Sequence, residues 1–291
     1  MTGMTTRKSV AAGILAVTFV GAAVLVGTSG DASLDAGDSP LHQHADEAAL
    51  EVPYEYSGCD LMTTAIRVDM EAARQVVAPG FEPLDGGHMF NANPQLVETG
   101  TAMLGISALE CAHIAVVGGP GSFAFAWIDI EEPSVGNGSS PSPHDGYDLI
   151  DVVESPAHAG FLEQARLPVV EGAVSVRLDS TSPVATGEIR IEGPDGTIAE
   201  IAAVGTGDLS AAITFANWHQ TDEGVGLMYL KSPSRVHAYL AKAVTCTVAE
   251  GSLLASLIGG TDCTAANGQG VIATGVASDG WLKFWPGVAA E

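Results

Sequence analysis

Lysine is nearly missing from this 291-residue chain. There are four, at Lys8, Lys231, Lys242 and Lys283, so more than two hundred consecutive positions carry none. Bases total 11 against 35 acids, for a formal charge of −24. A surface so poor in cations repels phosphate backbones and anionic lipid, which argues against a nucleic-acid binder. Charged residues reach only 16% while hydrophobic residues make up 46%, so the chain as a whole is not disordered.

Several motifs are absent too. There is no G-x-S-x-G, and Ser107 in GISAL lacks the second glycine, so a serine-hydrolase elbow is not supported. Neither a phosphate-binding G-x-x-x-x-G-K-[ST] loop nor a strand–GxGxxG–helix unit occurs, and no nucleotide cofactor is expected. No CxxC pair exists, which disfavours zinc. Eight histidines among many acids form metal-like combinations by chance, and none is singled out as a metal site. Glu131 and Glu132 are adjacent, so on a strand they point to opposite faces and make no paired-carboxylate site.

The amino-terminal region carries targeting information. Arg7 and Lys8 precede the apolar run SVAAGILAVTFVGAAVLV at 9–26, and no acid appears before Asp31. A basic start followed by such a run reads as a secretory signal over residues 1–30, or as a membrane anchor if left uncut. Residues 31–51, rich in Asp, Ser, Gly and Pro, read as a flexible tether, and His42 and His44 within it as solvated. The four cysteines, Cys59, Cys111, Cys246 and Cys263, suit disulfides in an exported chain, secreted or held in the cell envelope. Three connectivities are possible. Cys59–Cys111 with Cys246–Cys263 closes the two shorter loops and is the expected one.

Residues 52–291 read as a single domain, mainly β with a few short helices. CDLMTTAIRV places Met62, Thr64, Ile66 and Val68 on one strand face. Asp69 then looks like the N-cap of a short helix, MEAARQVV, ended by Pro79-Gly80. TGTAMLGISALECAHIAVV at 99–117 reads as a long strand or hairpin. SFAFAWIDIEE has apolar residues on both faces, as in a strand covered on both sides. Residues 132–146 read as a long loop. AHAGFLEQARL and GSLLASLIGG are expected as short helices. EIRIEGPDGTIAEI reads as a hairpin turning at Pro194-Asp195-Gly196. Further strands are expected at 211–219, 223–230, 236–248, 270–276 and 281–285. So many strands favour a barrel, which removes exposed edges.

The segment VDMEAARQVVAPGFEPL, residues 68–84, resembles the early part of acetoacetate decarboxylase-like proteins: a strand ending in Val-Asp, a short helix, then Pro-Gly and Pro. The resemblance implies an antiparallel, cone-shaped β-barrel able to hold a small apolar or carboxylated molecule. Enzymes of that family act through a lysine Schiff base, with two adjacent lysines in a central strand. No Lys-Lys pair exists here. The expectation is therefore an exported small-molecule-binding barrel without Schiff-base catalysis and without a cofactor. Membrane contact is expected only through an uncut amino-terminal segment.

Candidate pocket residues come from strand gradients. Ile213, Phe215, Asn217 and His219 alternate on one face and turn from apolar to polar, as do Val225, Leu227, Tyr229 and Lys231. His237 begins another strand. Asn217, His219, Tyr229, Lys231 and His237 are thus the candidate pocket. An alternative is an enzyme using His219, His237 and a carboxylate as acid and base. A further alternative is a structural envelope protein.

Overall fold

A computed structural model describes residues 50–87, 98–135, 140–181, 184–264 and 269–290. The signal reading and the tether reading up to residue 49 lie outside the described residues, whereas Leu50 and Glu51, read as the end of the tether, open the first strand. Strand β1 (Leu50–Asp69) ends where Asp69 accepts a hydrogen bond from the Ala72 backbone N–H at 3.0 Å. That cap starts α1 (Met70–Val76), which buries Met70 and Ala73. Strands β2 (Thr101–Ile114) and β3 (Gly119–Ile130) follow as a hairpin that turns through Ala115–Gly118. Strand β4 (Asp145–Val153) leads into α2 (Pro156–Leu162) and a single 3-10 turn, Glu163–Ala165.

Next come β5 (Val169–Glu171), β6 (Ala173–Thr181), β7 (Val184–Gly193) and β8 (Gly196–Ala211). Strands β9 (Thr214–Thr221), β10 (Gly224–Lys231) and β11 (Val236–Val248) precede α3 (Leu253–Ile258) and β12 (Gln269–Pro286). The two expected strands at 270–276 and 281–285 are thus one long strand. Gly275 lies within it at φ +67°, a value open to glycine, so the strand can be irregular without breaking.

All strands join one sheet, and the pairing of β1 with β12 closes part of it into a ring, β1-β2-β3-β4-β9-β10-β12. The expected barrel is present, but it is mixed and not wholly antiparallel. Strands β4 and β9 run parallel, with Asp145, Gly146 and Tyr147 opposite Ala216, Asn217 and Trp218. The reason is connectivity. After β4 the chain leaves the ring, builds β5 to β8, and re-enters in the original direction, the long crossover that a parallel pair requires. Strands β6, β7, β8 and β11 form an outer layer.

Two apolar cores result. One lies between the ring and its outer layers, around Met62, Ile66, Leu104, Ile106, Ala126 and Ile128. The other fills the ring, around Tyr54, Met103, Phe123, Phe125, Trp127 and Met228. Strand β3 feeds both, which is why its residues from Ser122 to Ile130 are all buried. Helix α2 and its 3-10 extension add Ala159, Leu162 and Ala165 to the interior core and so plug the ring. A Cβ at Gly226 of β10 would overlap the Ala165 carbonyl, so glycine is what lets the plug seat. Disulfides join Cys59 to Cys111, cross-strand partners on β1 and β2, and Cys246 to Cys263.

Candidate functional site

The register places two rungs of side chains across the ring interior. Thr63, Ser107, Phe125 and Asp151 lie opposite one another on β1 to β4, and Ala65, Gly105, Trp127 and Asp148 form the next rung. Asp148 and Asp151 are three apart and in a regular strand would face opposite ways. A bulge between the Ala126 and Trp127 pairings adds a residue to β4 and returns Asp151 to the side Asp148 occupies. Both carboxyls are buried, at 0% and 1% exposure.

Burial first, and then the neighbouring Asp151, hold the Asp148 carboxyl well above the ordinary carboxylate range. Burial raises Asp151 to about 7, offset in part by its hydrogen bond with Asp148. Among the described residues neither shift has a cation among its causes. Beyond each other and the Leu149 backbone, the two carboxyls find no well-formed hydrogen bond among the described residues. Asn217 is in the same condition: 1% exposed, with neither Oδ1 nor Nδ2 bonded to another group. Its cross-strand partner is Met228 of the interior core. A Cβ at Gly146, two residues before Asp148, would collide with both Trp127 and the Asn217 Oδ1. The amide is therefore packed beside the Trp127 ring, whose strand partner is Asp148.

Aromatic rings make the walls. Phe125, Trp127 and Phe215 meet with centroids 5.3 Å and 5.4 Å from the indole and 6.2 Å from each other. The Trp127 ring occupies space that a Cβ at Gly105 or Gly146 would take. Its Nε1–H donates to Asp129 Oδ1 at 2.8 Å. At the plug, the Tyr54 hydroxyl lies 2.6 Å from His158 Nε2. Burial lowers His158 to about 4 and raises Tyr54, so a neutral imidazole accepts from a protonated phenol. Asp145 faces the other core, where the Trp218 indole and the Ser140 hydroxyl donate to it. Burial nevertheless raises it to about 6.

The sequence-derived pocket residues distribute as follows. Asn217 lies in the interior. His219 is half-buried at the end of the same strand face, its Nδ1 3.0 Å from the Asp148 carbonyl oxygen, so it ties β9 to the carboxyl-bearing strand. Tyr229 lies opposite Ala216 and stacks on Trp281 at 4.6 Å, on the outer side of β10. Lys231 and His237 are exposed, and His237 packs edge-on against Tyr239. Asn217 thus lies against Gly146 and the Trp127 ring, and His219 on the Asp148 backbone, while Tyr229, Lys231 and His237 lie elsewhere. Sequence reasoning overlooked Asp148 and Asp151. Their spacing of three in GYDLIDVV matches no strand face, and only the bulge makes it one.

A concavity of about 440 Å³ lies on the outer strands around Arg177, Glu188, Arg190 and Glu200. Its Arg190 is already paired with Glu192 at 2.7 Å and Glu200 at 3.5 Å. Among the described residues no three His, Cys, Asp or Glu side chains gather as a metal set, and no helix is long and apolar enough to cross a membrane.

The chain is thus a ring-closed β protein with a plugged, aromatic and acidic interior. Its architecture is the acetoacetate decarboxylase-like fold. An enduracididine biosynthesis enzyme, MppR, complexed with the condensation product of pyruvate and imidazole 4-carboxaldehyde, superposes with a TM-score of 0.51. The identity is 13%, over 90% of this chain and 98% of that one. An acetoacetate decarboxylase gives 0.50 at 13% identity over 82% and 89%. An acetoacetate decarboxylase-like enzyme from Sphingomonas wittichii RW1 gives 0.51 at 13% over 81% and 93%. At such identities the likeness establishes the fold. No family model and no curated protein matches the sequence.

Proposed function

We propose that this protein is an exported barrel that binds a small molecule in its interior and does so without Schiff-base chemistry. The observation that carries this reading is the set of polar side chains, Asp148, Asp151 and Asn217, buried among aromatic walls with few or no partners in the protein. Buried polar groups are ordinarily satisfied, and unsatisfied ones facing one interior are what a binding site keeps for its ligand. The fold supports the same reading, because MppR is seen complexed with pyruvate. Against imine chemistry stands the placement of the two lysine side chains that are described. Lys231 is exposed, and Lys283 lies over the Trp281 ring at 4.1 Å and pairs with Glu51 at 3.2 Å, both on the outer side of the ring. The two disulfides support export, since such bridges persist in oxidising compartments.

The test is incubation of the purified protein with pyruvate or acetoacetate and borohydride, followed by intact-mass analysis. No reduced adduct is expected, and a stable adduct would overturn the reading. Thermal-shift and native mass spectrometry with small acids, amines and neutral amides would measure binding, and no response across all three classes would also overturn it. Amino-terminal sequencing of the protein from its native host tests export directly: a start beyond residue 26 is expected.

Acid–base catalysis is a second reading. It is favoured by Asp151, whose raised value of about 7 suits proton transfer near neutrality.

A further inference from the structure

We infer that the barrel interior takes a small organic cation, an ammonium or amidinium head on a flat apolar body, received by Asp148, Asp151 and the Asn217 carbonyl. This rests on the reading of the interior as a binding site and adds the chemical class of its occupant. The donor and acceptor inventory decides the class. Asp148 and Asp151 offer four carboxyl oxygens, and Asn217 adds its Oδ1, all buried and, beyond the contact between the two carboxyls and the Leu149 backbone, lacking a well-formed bond to the described residues. Against these five acceptor atoms stand the Asn217 Nδ2 and whatever proton the carboxyl pair retains. An occupant that completes the set must bring N–H donors.

Charge points the same way. Among the described residues neither carboxyl's shift has a basic group among its causes, so a ligand carboxylate placed between them would meet like charge from both in a medium that screens poorly. A cation reverses this. It stabilises the ionised pair that burial otherwise disfavours, and its N–H groups form charge-assisted bonds. The walls agree, because Phe125, Trp127 and Phe215 present ring faces and edges within 6.2 Å of one another. Such aromatic surfaces attract organic cations. A metal ion fits less well, since the described residues hold no set of three ionisable ligands.

The experiment compares shape-matched probes on the full disulfide-bonded protein. Methylammonium and benzamidine are titrated against acetate, benzoate and benzamide, with binding read by calorimetry and by shifts of indole N–H signals. The two cations are expected to bind at least ten-fold more tightly than their acid counterparts. Asp148→Asn/Asp151→Asn is expected to lose at least ten-fold in cation affinity. It should fold, because each change is nearly isosteric and removes a buried ionisable group. Asn217→Leu serves as a second variant and should weaken benzamidine while leaving thermal unfolding cooperative. Binding of acetate and benzoate in preference to the cations would overturn the inference and leave the binding barrel standing. Equal cation affinity in the double variant would place the probes elsewhere and also overturn it. Silence from every probe, cation, acid and amide alike, would overturn both.

Discussion

Replacing Asp151 by asparagine is expected to stabilise the folded protein at neutral pH and to leave it unchanged in acid. The native carboxyl is raised by burial to about 7, against an ordinary 3.8. Between those two values the folded state binds more protons than the unfolded one, so stability falls as pH rises. The loss begins near the unfolded value and is complete above the folded one. Integrated over that window, the buried group costs up to about 4 kcal/mol at pH 8. Asparagine keeps the shape and cannot ionise. It also removes the like charge that helps raise Asp148, so the neighbour should titrate lower in the variant. The assay is urea unfolding of wild type and Asp151→Asn, disulfides intact, at half-unit steps from pH 4 to pH 8. The difference between the two should be near zero at pH 4 and grow through pH 7. Working with the difference cancels the opposing slopes of the buried histidines. A difference that does not change with pH, or that shrinks as pH rises, would refute the argument that the carboxyl is buried without compensation.

Four further outcomes follow from other parts of the molecule. Tyr54→Phe deprives His158 Nε2 of its partner at 2.6 Å and should cost about 1–3 kcal/mol in denaturant unfolding. His158 is itself held down to about 4, so its contribution is present above pH 6.5 and is lost as pH falls toward 4; His158→Phe should flatten that acid limb by about 3 kcal/mol. The Cys59–Cys111 bridge spans 52 residues and Cys246–Cys263 spans 17, so replacing each pair by serine should lower stability by about 4 and about 3 kcal/mol respectively, read by calorimetry. Gly105→Ala and Gly146→Ala each push a methyl into the Trp127 ring; both should destabilise by about 1–3 kcal/mol and alter the tryptophan near-ultraviolet signal, whereas Gly160→Ala meets no such neighbour.

Much of the fold was legible because its signals are local. Period-two alternation placed Phe123, Phe125 and Trp127 on one face of β3 and Ala124, Ala126 and Ile128 on the other, and these residues divide between the two cores. The first helix followed from its Asp69 cap and the Pro79-Gly80 breaker, and the other two short helices stand where they were expected. The candidate site was legible only in Asn217 and His219. Lys231 and His237 share the polar ends of strands with them, yet a strand end can reach water as easily as a pocket, and alternation cannot say which. Strand β4 went unread because its aspartates, three apart, fall on opposite faces of a regular strand.

Composition and short-range pattern alone determined that this is a cation-poor, mainly β chain with four cysteines, capped short helices and no adjacent lysines. Those properties depend on residue type and on neighbours within a few positions. Tertiary structure decided that β9 returns parallel to β4, that one inserted residue turns Asp148 and Asp151 to the same side, and that Asn217 closes beside them. These depend on where distant strands meet and in what register, a choice made by the packing of two whole cores and not by any single segment.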